Sequence, residues 1–401
     1  YKAIYISFGA ASKMAEVWCN DEFVGQHRGG FSSFVFNLTS FLKEGENEIK
    51  VKVNNSNDLP IYPRSADFTF FGGLYRGVKL LCFDSESHFD VESFGVNGLF
   101  IKPDATAGNV EADIYVTGGK QLITIICDNE GNEVASSVTA VNEAGKVTVK
   151  LTVSNPHFWN GTKDPYFYIL KATLDDADEI SDHFGFRSFE VTSDRGFFLN
   201  GKSYPLHGVC RHQDRENLGW ALTEKEHCQD MDIIREIGAN TIRLAHYQQA
   251  PFFYDLCDKE GMIVWAEIPF ISVYDDRSEA DENLVSQMTE LVMQNYNHPA
   301  ICFWGVANEI GIAGECDKMY DMVRELNDLT KALDTSRLTV IANVGMTQTS
   351  SPLFHITDIT SYNIYKGWYE GTCEDHGPFC DEKHGEIPNV PLAIREYGGD
   401  C

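Results

Sequence analysis

The sequence predicts a multidomain chain of the β plus α/β class: two β-sandwiches in succession, then a (β/α)8 TIM barrel truncated after strand seven. Three observations carry this. Short alternating runs separated by turn signals fill the first half. Near Glu190 the texture changes to apolar runs that alternate with helix-length amphipathic segments. The length of 401 residues exceeds what one compact core usually holds.

Residues 1–84 read as a first β-sandwich without its opening strands. Runs such as Ala15–Trp18 and Glu48–Val53 alternate between turns at Gly29-Gly30 and Gly45–Asn47. Residues 85–189 form a second β-rich stretch, with Val110–Val116 and Lys146–Leu151 alternating, and its length fits an immunoglobulin-like sandwich. Residues 190–401 carry the barrel. Its strand candidates are Tyr204–Val209, Asn240–Ala245, Met262–Glu267, Ala300–Val306, Leu338–Ala342, Ile359–Ile364 and Pro391–Glu396. Helices over Glu224–Ile237, Glu282–Asn295 and Asp317–Leu333 give the rhythm of roughly thirty residues per unit that such barrels keep.

Bulk properties narrow the function classes. A formal charge of -28 repels phosphate backbones and anionic lipid, which excludes nucleic-acid and membrane-surface partners and suits a neutral substrate. No apolar run reaches the length of a membrane span. Eleven cysteines scattered singly favour a reducing compartment, so a bacterial cytoplasm is expected, although the N-terminal region that would carry a leader lies outside the sequence.

Catalytic groups in these barrels sit where strands end, and two glutamates stand there. Glu309 follows Ile301–Asn308 on the fourth strand and Glu396 follows Leu392–Arg395 on the seventh, three βα units on, so both should face one cavity. Retaining glycoside cleavage needs such a pair about 5 to 5.5 Å apart, one protonated to release the leaving oxygen and one ionised to attack the anomeric carbon. A lone glutamate at a strand end is more often a solvated surface group.

At these residues a family resemblance is plain. Trp304–Glu309 and Glu396-Tyr397-Gly398 resemble the acid/base and nucleophile motifs of glycoside hydrolase family two. His207–Val209 with Arg211–Gln213, Ile242–Tyr247 and Val264–Pro269 resemble its signatures on strands one to three, and Asp67-Phe68 with Phe71–Arg76 resembles the end of its sugar-binding jelly roll. The resemblance implies Glu309 as acid/base, Glu396 as nucleophile, Asn308 on the sugar 2-hydroxyl, Arg243 holding the nucleophile ionised, and Tyr365 donating to it. It also implies His212 and His246 lining a galactosyl pocket, Trp304 and Trp368 as apolar faces for the ring, and Asp67 reaching the 6-hydroxyl from the neighbouring domain. Each has a plainer alternative: Trp304 as core, Arg243 as a structural ion pair, Asp67 as a turn carboxylate.

Three positions depart from the family pattern: Cys210 stands where asparagine is common, Gln248 where proline is usual, and Arg395 where a small residue precedes the nucleophile. Ile271 and Val273 occupy the region where large members hold magnesium, so no cofactor is expected, and magnesium or sodium finds no support. Cys373, His376, Cys380 and His384 have ligand types at zinc-like spacing, but Gly377-Pro378 favours a solvated loop. The segments Arg211–Glu216 and Gly219–Leu222 look closest to shorter β-galactosidases, giving a retaining exo-β-galactosidase acting on neutral β-galactosides as the expected activity. β-Glucuronidase is the alternative, with β-mannosidase behind it. The asparagine-lysine motif by which the family's glucuronidases hold the sugar carboxylate falls beyond strand seven, outside this chain. From another class, the chain could be a carbohydrate-binding protein with a decayed barrel. The resemblance also implies a homo-oligomer, with no stripe marking its interface.

Overall fold

The structure is a computed structural model that describes residues 1–142 and 144–399. Strands between Ala3 and Phe83 build a jelly roll from two three-stranded sheets. One orders Phe34–Asn37, Ala3–Phe8 and Val78–Phe83; the other orders Glu22–Arg28, Met14–Cys19 and Ile49–Asn54. Their inner faces meet on Ile6, Phe8, Val17 and Leu38. The immunoglobulin-like sandwich follows. Asn109–Thr117 lies between Leu99–Asp104 and Lys146–Thr152 in one sheet, and Glu133–Ala140, Gln121–Cys127, Tyr168–Leu174 and Asp178–Phe184 form the other. Every second residue of Asn109–Thr117 from Val110 to Val116 is buried, as a half-covered antiparallel strand requires.

Seven parallel strands then form one sheet in sequential order: β1 Gly208–Arg211, β2 Thr241–Leu244, β3 Ile263–Glu267, β4 Ile301–Asn308, β5 Leu338–Val344, β6 Ile359–Asn363 and β7 Leu392–Glu396. Helices α1 Glu224–Glu236, α2 Pro251–Glu260, α3 Ser278–Gln294, α4 Asp317–Leu333 and α5 His376–Glu386 lie between them. All eight residues of β4 are buried, because a parallel strand is covered by helices outside and by the barrel core inside. Among the described residues no helix is long and apolar enough to cross a membrane.

Two expectations change. The first barrel strand begins at Gly208 rather than Tyr204, because Pro205 lacks a ladder donor and the Asn240 side chain takes over the pairing: its Oδ1 accepts from His207 N at 2.8 Å and its Nδ2 donates to the Pro205 carbonyl at 2.8 Å. The segment holding Cys373, His376, Cys380 and His384 is largely the helix α5, not a loop. Pro378 falls in its first turn, where a backbone N–H has no helical partner to lose. His376 there bonds the carbonyls of Cys373 and Ile364, and the zinc-like set does not converge among the described residues.

A different polar cluster locks the immunoglobulin-like sandwich to the barrel. His183 Nε2 and His298 Nδ1 lie 2.7 and 2.5 Å from the same Asp258 oxygen, whose other oxygen accepts from Ala300 N at 2.8 Å. These are hydrogen-bond spacings, shorter than the about 3.3 Å between neighbouring ligand atoms of a tetrahedral metal site. Burial opposes charge on His183, but Asp182 and Asp258 push it up to about 11. Burial likewise opposes charge on Asp258, yet His298 and His183 hold it well below the usual carboxylate range. The contribution of His183 is full below its unfolded value of about 6.5 and is lost as pH rises toward the raised one; that of Asp258 fades only below about pH 4. His183→Gln is therefore expected to lower thermal stability by about 2 kcal/mol between about pH 4 and 6.5, with a gap to wild type that narrows by about pH 9. Calorimetry across that range checks it, and a gap that widens with pH would contradict it.

Candidate active site

The C-terminal ends of the strands converge on one guanidinium. Arg243, at the third position of β2 and 3% exposed, donates through Nε to Glu267 Oε2 and through Nη2 to Glu267 Oε1, both at 2.9 Å. Nη2 also donates to Asn308 Oδ1 at 2.7 Å, and Nη1 donates to Glu396 Oε1. The opposite oxygen of Glu396 accepts the Tyr365 hydroxyl at 2.5 Å, and His246 Nε2 lies 3.7 Å from its Oε1. Burial works against ionising Glu396, but the Arg243 charge, His246 and the Tyr365 bond outweigh it and lower its pKa.

Glu309 meets the reverse conditions. Its Oε1 accepts from Asn363 Nδ2 at 3.0 Å, and the same Asn363 nitrogen lies 3.1 Å from Asn308 Oδ1. Asn363 pairs directly with Glu396 in the β6–β7 register, which draws the two carboxyl groups toward one point. Among the described residues no guanidinium pairs with Glu309. Burial is the main cause of its raised pKa and the Glu396 charge the next. Its backbone has φ +52°, a left-handed conformation costly for a residue with a Cβ, and is held by Glu309 N donating to the Ala342 carbonyl at 2.8 Å. The two surroundings thus push the carboxyl groups in opposite directions, Glu396 toward the ionised form and Glu309 toward the protonated one.

The histidines are fixed in the same network. His246 Nδ1 sits 2.6 Å from Glu267 Oε1, and His212 Nδ1 sits 3.0 Å from the Tyr247 hydroxyl. Burial, then His246 and Arg243, push His212 down to about 4, so it is neutral near pH 7.

Four sequence-selected positions lie elsewhere or differently. Trp304 is fully buried, its indole N–H donating to Asp334 Oδ2 at 2.9 Å with the Arg337 guanidinium 5.4 Å from its ring. It packs toward α4 and the start of β5, and offers no face to a sugar. Trp368 is 55% exposed on the loop after β6, beside Gly399. Asp67 is exposed, while its neighbour Phe68 reaches the site, with its ring 4.9 Å from His212 and 6.1 Å from His246. Arg395 turns beneath the catalytic layer, 3.5 Å from the Trp265 ring centroid.

The other departures have local explanations. Gln248 donates to Gln294 Oε1 of α3 at 2.9 Å, and Cys210 Sγ bonds the Arg395 carbonyl at 3.4 Å. Glu267, Asn363 and Phe68 carry geometry that was not assigned to them from sequence. Glu267 and Asn363 satisfy the same strand-end criterion that selected Glu309, and that signal could have found them.

Fold and site together define a glycoside-hydrolase barrel with two sandwich domains in front, and comparison with known families agrees in every part. Residues 2–83 match the sugar binding domain, 96–187 the central domain and 189–401 the TIM barrel domain of glycosyl hydrolases family 2. The chain belongs to that family. It is 37% identical over 426 residues to a β-glucuronidase of Bacteroides fragilis, covering 99% of this chain and 59% of that protein. It is 34% identical over 357 residues to a β-galactosidase of Thermoanaerobacter pseudethanolicus, covering 84% of this chain and 46% of that one. Among solved structures, the FMN-binding β-glucuronidase of Facaelibacterium prausnitzii L2-6 superposes with a TM-score of 0.95 at 43% identity, over 99% of this chain and 63% of its own. A β-glucuronidase of Bacteroides uniformis gives 0.93 at 31%, over 99% and 51%. The chain therefore spans between about half and two thirds of these relatives.

The position of Trp304 has a direct test. Trp304→Phe removes the indole donor from buried Asp334 and is expected to cost about 1–2 kcal/mol of stability while leaving KM unchanged. Denaturant unfolding and steady-state kinetics on the full-length protein separate the two; a raised KM with intact stability would restore Trp304 to the sugar site.

Proposed function

We propose that the complete protein is a retaining β-glycosidase with Glu396 as nucleophile and Glu309 as acid/base, and that its glycone is a β-D-glucuronide. The observation that carries the reaction is the unequal treatment of two neighbouring carboxyl groups: Glu396 held by Arg243 and Tyr365, Glu309 half-buried and, among the described residues, in no ion pair. A glycosidic bond in that space would be broken in two displacements. Glu396 attacks the anomeric carbon while Glu309 gives its proton to the departing oxygen, leaving a covalent glycosyl-enzyme. Glu309, now ionised, takes a proton from water, which attacks the same carbon and returns Glu396 as a carboxylate. Arg243 and Tyr365 stabilise that carboxylate as the leaving group of the second step. Asn308 uses its carbonyl oxygen for Arg243 and Asn363, which orients the amide nitrogen as a donor toward the sugar 2-hydroxyl.

The glucuronide reading is supported by the Bacteroides fragilis, Bacteroides uniformis and Facaelibacterium prausnitzii relatives, all named β-glucuronidases. β-Galactosidase is the second reading, favoured by the Thermoanaerobacter relative and by the likeness of Arg211–Glu216 to shorter galactosidases.

Aryl β-glucuronide, β-galactoside and β-mannoside offered to the full-length protein decide the glycone, with glucuronide expected to be turned over fastest. Glu396→Gln is expected to lower kcat by at least about a thousandfold. Equal rates for variant and wild type would remove the assignment. The pH profile provides a second check. Tyr365→Phe removes a bond to ionised Glu396 and should move the acid limb of kcat/KM upward. Asn363→Ala removes a bond that lowers the pKa of Glu309 and should move the basic limb upward. Limbs that stay in place in both variants would disconnect these groups from the reaction.

A further inference from the structure

A cavity of about 290 Å3 lies at the N-terminal face of the barrel, where the immunoglobulin-like sandwich meets it. Three parts of the chain wall it. Lys102 comes from the sandwich strand Leu99–Asp104, Arg187 and Phe189 from the linker between sandwich and barrel, and Tyr296 and Arg337 from the loops that enter β4 and β5. Those loops lie at the opposite end of the strands from Glu309 and Glu396. The eight residues of β4 put roughly 20 Å between the two ends, so the cavity is no part of the glycosidase site.

The lining is selective in charge. The chain has 60 acidic and 32 basic residues, yet Lys102, Arg187 and Arg337 line the cavity and no Asp or Glu does. Carboxylates that bond to lining residues are shared or saturated: Asp334 accepts from Arg337, Trp304 and Ser336, Asp113 pairs with both Lys102 and Lys146, and Asp182 takes Asn297 and His183. Glu111 reaches Lys102 only at 4.0 Å. Arg187 has no such partner. Its Nε and Nη2 donate to the carbonyls of Pro299 and Ile301 at 2.5 and 2.6 Å, while among the described residues Nη1 meets no acceptor and no carboxylate lies within ion-pair distance. The Phe189 ring, 4.9 Å from the guanidinium, holds it in place. Tyr296 adds a second unused group: it is 6% exposed, and among the described residues its hydroxyl has no hydrogen-bond partner. A tyrosine buried to that degree normally finds one.

We propose that this cavity binds a small metabolite bearing one oxyanion group, a carboxylate or a phosphate, on a body no larger than a monosaccharide. The free edge of Arg187 takes the oxyanion, the Tyr296 hydroxyl donates to it, and Lys102 and Arg337 add positive potential. The volume falls just below the range of drug-sized ligands, which sets the limit on the body. Because linker, sandwich and barrel each supply a cation, the bound molecule fastens the three together. The site stands independently of the glycosidase reading.

The test is calorimetric titration of the full-length protein with glucose 6-phosphate, gluconate and glucose at matched ionic strength. At least one of the two anions is expected to bind, and glucose at least about tenfold more weakly; which anion binds tells phosphate from carboxylate. Arg187→Gln is expected to weaken that binding about tenfold or more. Tyr296→Phe is expected to weaken it about fivefold, and it leaves the ring that packs 6.0 Å from Phe100 and 5.7 Å from the Arg337 guanidinium, so it decides the matter should the arginine variant fail to fold. Binding of neither anion, glucose binding as tightly as the anion, or an affinity that Tyr296→Phe leaves unchanged overturns the site.

Discussion

Everything at the mouth of this barrel depends on one buried guanidinium. Glu267 engages Arg243 through two parallel bonds, which fixes the plane of the guanidinium and aims its remaining edge at Glu396. Burial opposes charge on Glu267 too, yet Arg243 brings it down to about 2. Two ionised carboxylates therefore share one arginine. That leaves negative charge on Glu396 beside Glu309, which adds to burial in raising the pKa of the third carboxyl. The raised pKa of Glu309 is in this sense a property of Arg243 and its partners as much as of Glu309 itself.

The jelly roll is placed against this centre by polar bonds that tolerate little displacement. Along α3, Asn283 accepts from Tyr62 N and donates to the Arg28 carbonyl, Glu290 meets His27 and Ser32, and Gln294 both accepts from Ser33 N and donates to its carbonyl. Beside them Phe31, Trp220 and Tyr247 pack with Phe68, Phe71 and Tyr75, and Arg76 spans from the Phe31 carbonyl to Gln213 and the Gln248 carbonyl. Apolar packing alone would allow sliding between domains; bonds with a fixed length and direction set the register. The arrangement puts Phe68 within ring-contact range of two pocket histidines although it belongs to another domain.

The sequence was legible where physics repeats and opaque where it does not. Periodicity located the barrel strands to within a few residues, because a parallel sheet under helices demands uninterrupted apolar runs. The rule that polar groups follow those runs selected Glu309 and Glu396, the family resemblance added Asn308 and Arg243, and the structure brings all four into one hydrogen-bonded set with Asn363. Trp304 escaped the same logic. In a strand buried on both faces, no polar alternation shows which side chains point to the sugar and which to the surrounding helices. Phe68 was missed for a related reason: it lies outside any strand, where no period of two fixes the facing of consecutive residues. Helix α5 was hidden because Gly377 and Pro378 are breakers in mid-helix but not in a first turn.

The motif Trp304–Glu309 therefore divides into two parts with different work. Asn308 and Glu309 join the Arg243–Asn363 network, whereas Trp304 anchors the strand outward through Asp334. Gly305 faces inward, and its lack of a side chain is a requirement: a Cβ there would stand 2.3 Å from Trp265 Nε1 and 2.5 Å from Glu267 Cβ. Only the absence of that atom lets Glu267 occupy the space from which it orients Arg243. Beneath, the Trp265 ring lies 5.3 Å from Arg243 and 3.5 Å from Arg395, so one indole underlies both guanidinium groups by cation–π contact. Burial, then repulsion from Arg243, brings Arg395 down to about 9, a cost accepted on the strand that carries Glu396. A substitution at Gly305 would consequently disturb the site without touching Glu309 or Glu396, by displacing Trp265 and Glu267 and with them the arginine that acts on both carboxyl groups.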